Sequence, residues 1–274
     1  MLLGTFCEVD MLDKGFLLDL RRQAYVECTQ NYLETNTVVG IFGDDMPEEL
    51  FYACGVVPVP MEGVDSHIFK FGNEGEGKRF CDVIRSTLIY LTTQKCPILY
   101  SCKMYVLCSS CQAMIDAIKA NTEKPVLIYQ NEASLIESLC KVYGTSYSEE
   151  ALRMAKKDID YIKSVLQKIR WHSTLDCETV FLLEFYSKYM TDLKMRRAYF
   201  EEVEQELEQE VSSTSEVCDV KEISVICPRG NYANVCANTE KMLHKKRARI
   251  KRVWKCGDYG YERCPFECER KVGY

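Results

Sequence analysis

Residues 104–131 read MYVLCSSCQAMIDAIKANTEKPVLIYQN, and their pattern decides the fold. Met104 to Leu107 is a short apolar run with β-forming residues, followed by the loop Cys108-Ser109-Ser110-Cys111. An amphipathic helix is expected from about Gln112, and Lys124-Pro125 breaks it before a second apolar run, Val126 to Tyr129. This is a strand–helix–strand unit, which implies parallel strands and a crossover helix. Open α/β sheets place ligands beyond the carboxyl ends of their strands. Cys108 and Cys111 stand at that position, so thiol chemistry is the first question the sequence raises.

Working outward, a similar unit precedes it. Residues 14–35 carry helical periodicity, with Leu17, Leu18, Tyr25 and Leu33 as inward positions. Val38 to Phe42 reads as a buried strand and Gly43-Asp44-Asp45 as a turn. Pro47 is the expected first residue of a helix whose opening turn carries Glu48 and Glu49, as the helix dipole favours. Gly55 ends that helix, and Val56 to Val59 is the next strand. Residues 62–79 hold four of the fourteen glycines and read as a loop. Phe80 to Thr92 reads as a helix with Cys81 in its first turn.

Downstream, Ser146 with Glu149 three residues on fits a capping box, with Ser148 competing for the cap. Helices are expected over about 149–170 and 175–210, the second ending in the acidic EEVEQELEQEV. That acidic end reads as solvent-exposed, and the pair reads as joining two halves of the chain rather than offering chemistry. Ser212-Ser213-Thr214-Ser215 is the best linker in the chain. Beyond it, Glu222 to Cys227 and Ile250 to Lys255 read as strands joined by a helix over Asn231 to Lys246. The expected architecture is therefore α/β, built from Rossmann-like βαβ units. A first domain covers 1–212 with a helical insertion at about 149–210. A truncated second unit with a Cys-rich tail covers 216–274.

Composition narrows the class. Apolar residues make up 47% and charged residues 28% of the 274, an ordinary globular balance. A net charge of −6 gives no reason to expect nucleic acid or an acidic membrane as partner. The opening MLLGTFCEVDMLDKGF lacks a basic n-region and a sustained apolar core, and no run is long enough for a membrane helix. The expectation is a soluble, cytoplasmic protein. Sixteen cysteines then read as reduced thiols rather than a disulfide framework. Cys28, Cys54, Cys140 and Cys177 fall on helix faces, where burial as small hydrophobes is the plain reading. Such thiol richness suits an oxygen-poor cell.

No Gly-x-Gly-x-x-Gly follows a strand, and no Walker loop, zincin motif or nucleophile elbow is present. The three histidines, His67, His172 and His244, fall in a loop, at a helix end and in a basic helix, where surface roles are the ordinary reading. Three thiol readings stay open for Cys108-x-x-Cys111. A redox pair needs a low-pKa thiol at a helix N-terminus. Zinc needs a second pair, which Cys264 and Cys268 offer. An iron–sulfur cluster needs thiolates gathered from several loops.

The motifs in order add a family. MPEELFYACGVVPVPM (46–61) with the preceding VVGIFGD resembles the signature of the 2-hydroxyacyl-CoA dehydratase D-component family, which includes benzoyl-CoA reductase-like proteins. FCDVIRS (80–86) is similar to that family's first cluster-cysteine segment, and SSCQAM (109–114) to its second. The resemblance covers roughly 35–212. It implies two Rossmann-like domains holding a 4Fe-4S cluster through three cysteines, with one iron open to substrate. It also implies an ATP-dependent activator that injects an electron, an acyl-CoA substrate, and a second dehydratase-like subunit or a homodimer. The reaction would be the lyase-type radical dehydration, or the reduction, of the acyl-CoA. Carried over by motif, Cys81 and Cys111 are cluster ligands, and Gln112 replaces the usual Asp. The chain departs from the family after one βαβ unit of the second domain. Cys227, at a strand's carboxyl end, and Cys264 are the candidates for the third metal ligand, with Cys256 and Cys268 as tail alternatives and Cys108 as a neighbour lining the site. A degenerate, non-catalytic homologue serving as a binding or assembly partner, with zinc or no metal, is the alternative.

Overall fold

The computed structural model describes residues 11–43, 46–63, 66–72, 80–109, 111–170, 175, 177–211, 221–226 and 248–254. The expected α/β architecture is observed. Four strands, β1 (Val38–Phe42), β2 (Val57–Pro60), β3 (Tyr105–Leu107) and β4 (Val126–Ile128), form an all-parallel sheet in the order β2-β1-β3-β4. This is a Rossmann-like arrangement, and the strand order reverses between β1 and β3. Every residue of β1 is buried, as expected for a central strand covered on both faces. Side chains alternate between the two faces. Val38 and Phe42 join the cluster under α1 (Lys14–Glu34), α3 (Asp82–Thr93) and α5 (Gln112–Ala120). Val39 and Ile41 join the cluster under α2 (Glu48–Ala53) and α6 (Glu132–Tyr143).

Local chemistry explains the boundaries. Asp13 caps α1 by accepting the Phe16 amide at 2.7 Å, and Asn131 caps α6 by accepting the Ser134 amide at 2.9 Å. Gly144, in the left-handed region at φ +69°, ends α6. β2 carries Pro58 and Pro60, which suits its edge position, where missing amide donors are tolerated. At the entry to β4, the Lys124 ammonium donates to the carbonyls of Leu99, Tyr100 and Cys102 at the end of the short helix α4 (Pro97–Ser101), at 2.5, 3.0 and 2.5 Å. A cation thereby meets the negative end of a helix dipole.

Several expectations shift. The 62–79 stretch is not plain loop: Ser66–Phe71 forms a 3-10 turn. The helix expected over 80–92 starts at Asp82, which makes Cys81 its N-cap rather than a first-turn residue. Pro47 is likewise the N-cap of α2, not its first residue. At the start of α7 (Glu149–Arg170) Ser148 wins the cap, its hydroxyl accepting the Ala151 amide at 3.2 Å. The continuous helix expected over 175–210 is broken into α8 (Cys177–Tyr186), a 3-10 turn (Ser187–Tyr189) and α9 (Leu193–Val211). Asp192 restarts it by accepting the Lys194 and Met195 amides at 2.8 and 3.3 Å.

The acidic end of α9, read from sequence as solvent-exposed, is partly core. Tyr199, Phe200 and Val203 of α9 are fully buried, and even the acidic run contributes Val203 and Leu207 to the core. The anchor of α9 is electrostatic. Buried Arg196 of α9 donates to Glu48 of α2 at 2.5 Å, so a glutamate read from sequence as dipole compensation is also a tertiary partner. Arg21 is held on the other side, its guanidinium 4.7 Å from the Tyr90 ring centre and 5.6 Å from that of Tyr189. Further along, β5 (Lys221–Ile226) and β6 (Ala248–Trp254) form a parallel pair with a register irregularity at Ile223/Ser224. The connection between them lies outside the described residues.

Removing one member of a buried ion pair leaves the other uncompensated. Arg196→Met is therefore expected to lower stability by roughly 3 kcal/mol, and adding Glu48→Leu to recover part of that loss. Urea unfolding midpoints of the two variants check this; equal losses in both would show that charge pairing is not the cause.

Candidate functional site

The carboxyl edge of the larger sheet is where a parallel α/β fold leaves a crevice, and the gap between β1 and β3 is its switch point. Two residues fill that gap. Cys108 follows β3 directly and donates its amide to the Phe42 carbonyl at 2.9 Å, prolonging the β1–β3 ladder by one bond. Gly43 follows β1 with φ +96°, a conformation glycine adopts without strain. A Cβ built on Gly43 would lie 2.2 Å from the Cys108 sulfur and 2.9 Å from its Cβ. The thiol occupies the volume that the missing side chain leaves. Cys108 is buried as a result.

Cys81 and Cys111 sit at corresponding places. Each is the N-cap of a helix, α3 and α5 respectively, with extended backbone and no side-chain capping bond. The two helices pack against each other on one face of the sheet. Cys81 is buried at 1% exposure, while Cys111 is half-buried at the edge of the same cluster. A sulfur at a helix N-terminus lies where backbone amides and the dipole favour a thiolate. The two motif cysteines thus cap two helices that pack on the same face of the sheet, with Cys108 three residues ahead of Cys111 in the switch-point gap.

The segment that sets Cys81 was not anticipated. Ser86 and Thr87 of α3 are buried and clamp Gly63, just past β2. The Ser86 hydroxyl donates to the Gly63 carbonyl at 2.6 Å, and the Gly63 amide donates to the Thr87 hydroxyl at 2.8 Å. A Cβ on Gly63 would stand 2.5 Å from the Ser86 hydroxyl and 2.8 Å from the Thr87 amide. The glycine lets the chain leaving β2 lie flat on the first turns of α3. Arg85 stacks 4.8 Å from the centre of the Phe69 ring and ties the 3-10 turn to the same helix. The Met-Glu-Gly and Arg-Ser-Thr sequences were the only signals available, and neither announces this contact.

The remaining cysteines sort by face. Cys28 and Cys102 are buried near Cys96 on the α1 and α4 side. Burial, reinforced by Glu27 and Cys96, pushes the Cys28 thiol up to about 12. Burial also raises Cys102 far above the usual thiol range, against the opposing pull of the Lys124 charge. These are packing residues, as expected for Cys28. Cys54 is equally enclosed, while Cys140 is half-buried.

As a cluster site the described residues are incomplete. No group of three or more His, Cys, Asp or Glu side chains arranged to hold a metal ion occurs among them. The third-ligand candidates Cys227 and Cys264, with Cys256 and Cys268, lie outside the described residues, as do His172 and His244. Neither a family model nor a curated protein matches this chain, so the dehydratase resemblance rests on the quoted motifs. No helix among the described residues is long and apolar enough to cross a membrane.

Gly43→Ala forces a left-handed alanine into the Cys108 sulfur. It is expected to cost roughly 2–3 kcal/mol. Cys108→Ala in the same chain should return only part, since the clash with Cβ persists. Guanidinium unfolding of the two variants measures this, and full recovery in the double variant would overturn the geometric account.

Proposed function

We propose that this chain is an iron–sulfur protein of the 2-hydroxyacyl-CoA dehydratase type, with Cys81 and Cys111 as two thiolate ligands at the switch-point edge. The observation that carries the reading is the pairing of these motif cysteines as N-caps of two helices packed side by side. Helix N-termini favour the negative charge of a thiolate-bound cluster. The described residues do not make a complete cluster site, so this reading requires a further thiolate, for which Cys227 and Cys264 are the candidates. A 4Fe-4S cluster held there would supply one-electron chemistry toward an acyl-CoA, charged by an ATP-dependent activator. What this chain's own residues contribute is placement: the Gly63 clamp holds α3 against the end of β2, and Gly43 admits the Cys108 sulfur at the switch point. A second dehydratase-like subunit, or a second copy, is the partner this reading calls for.

A second reading starts from the described residues alone, which hold no three-residue metal group. It makes the chain a non-catalytic homologue that serves as a binding or assembly partner, with zinc or no metal. Iron and sulfide analysis with electron paramagnetic resonance, on anaerobically prepared and reconstituted full chain, separates the two. The first reading expects about four iron per chain, and loss of most of it in Cys81→Ala and in Cys111→Ala. Colourless, iron-free wild-type protein after reconstitution would sink it. Zinc bound stoichiometrically, or complexes that form unchanged in both variants, would establish the second.

A further inference from the structure

On the opposite face of the sheet, α2 and α6 cover Val39, Ile41 and Val106, and each carries a cysteine at its carboxyl end. Cys54 is the C-cap of α2. Cys140 lies in the last turn of α6, where its carbonyl accepts the Gly144 and Thr145 amides at 2.9 and 3.2 Å. The turn leaving α6 is tied back to α2 through the backbone: Ser148, the cap of α7, donates its amide to the carbonyl of Ala53 at 2.9 Å. Gly55, at φ +68°, brings the chain leaving α2 against Thr145, whose methyl would be 3.8 Å from a Cβ placed there. Within this frame Cys140 packs against the buried cluster that holds Cys54, which makes the two sulfurs neighbours. Cys54 has no exposed surface, whereas Cys140 is half-buried and reachable from solvent.

We propose that Cys54 and Cys140 form a reversible disulfide, made by exchange with a low-molecular-weight disulfide that enters at Cys140. The Cys140 thiolate attacks one sulfur of the small disulfide, forming a mixed disulfide and releasing one small thiolate. Cys54 then gives up its proton to water and attacks the Cys140 sulfur, expelling the second small thiol. Two protein thiols lose two hydrogens in total, and the small disulfide is reduced to two thiols. Access fixes the order, since a bulky disulfide cannot reach the enclosed Cys54 first. Burial and the neighbouring Cys140 raise the Cys54 thiol to about 12, which makes the second step the slow one. The bond would close a long loop running through β2, α3, β3 and β4, and so lock α2 against α6. It is independent of the cluster reading, because these thiols lie across the sheet from Cys81 and Cys111.

The test is disulfide mapping of the full chain, reduced and then incubated with oxidised glutathione, acid-quenched, alkylated and digested. The expected result is a linked peptide pair joining Cys54 to Cys140, reversed by dithiothreitol. An upward shift of several degrees in the thermal midpoint should accompany it, as loop closure predicts. Cys54→Ser should stop at glutathione on Cys140, and Cys140→Ser should leave Cys54 unmodified in the folded chain. Wild-type protein that keeps glutathione on Cys140 with Cys54 free, or leaves both thiols unmodified, overturns the proposal. The wild-type map decides even if the buried Cys54→Ser change prevents folding.

Discussion

Strand β1 is the constraint from which the rest of the larger sheet follows. It is paired on both sides, so its backbone donors and acceptors are used in the ladder and its side chains are enclosed by helices on both faces. Its middle residue can only be small. A Cβ on Gly40 would meet the Tyr105 ring at 2.7 Å and Met61 at 2.8 Å, so the flanking strands' side chains close over the glycine. At its carboxyl end, Gly43 yields its side-chain volume to the Cys108 sulfur. One strand thus fixes the sheet order, the packing of its neighbours and the contents of the switch-point gap. Tyr143 reinforces it from α6, its hydroxyl donating to the Val38 carbonyl at 2.6 Å.

The sheet also separates the thiols into groups with different chemistry. Cys81 and Cys111 stand at helix starts, where amide dipoles stabilise negative charge, and Cys108 fills the strand switch against Gly43. Cys54 and Cys140 stand at helix ends on the other face, where burial holds the Cys54 thiol well above the usual range. Cys28 and Cys102 are enclosed in the α1 and α4 layer. A cysteine count treats these residues alike. Their position along a helix and their access to water divide them into candidate ligands, an exchange pair and packing residues.

The interactions that hold the helical layer are long-range and polar. Arg196 reaches Glu48 across most of the chain. Tyr161 and Lys168 of α7 meet Glu204 of α9, the tyrosine at 2.6 Å, while Arg197 pairs with Asp158 at 2.7 Å. These contacts fasten α9 to α7 and α2, so the helices beyond the parallel sheet are part of its support.

By itself, the sequence determined the strands and the crossover helices. A short apolar run followed by an amphipathic period is a local property, and β1, β3, α5 and β4 appear within a residue or so of where the pattern puts them. It also determined that Cys108 and Cys111 flank a strand-to-helix junction, because chain order alone requires it. Caps were less legible. Ser146 and Ser148 offer the same chemistry two residues apart, and the break at Asp192 follows from a capping side chain inside a strong helical run. Only tertiary structure decided that Gly43 makes room for Cys108, that Ser86 and Thr87 clamp Gly63, and that Cys54 meets Cys140. Each joins segments remote in the chain through a small residue, a side-chain hydrogen bond or a packing contact. Periodicity is a guide to the face a residue occupies, and it fails even there for Leu18 and Leu33, read as inward on α1 but exposed; it carries no information about which distant residue will meet it.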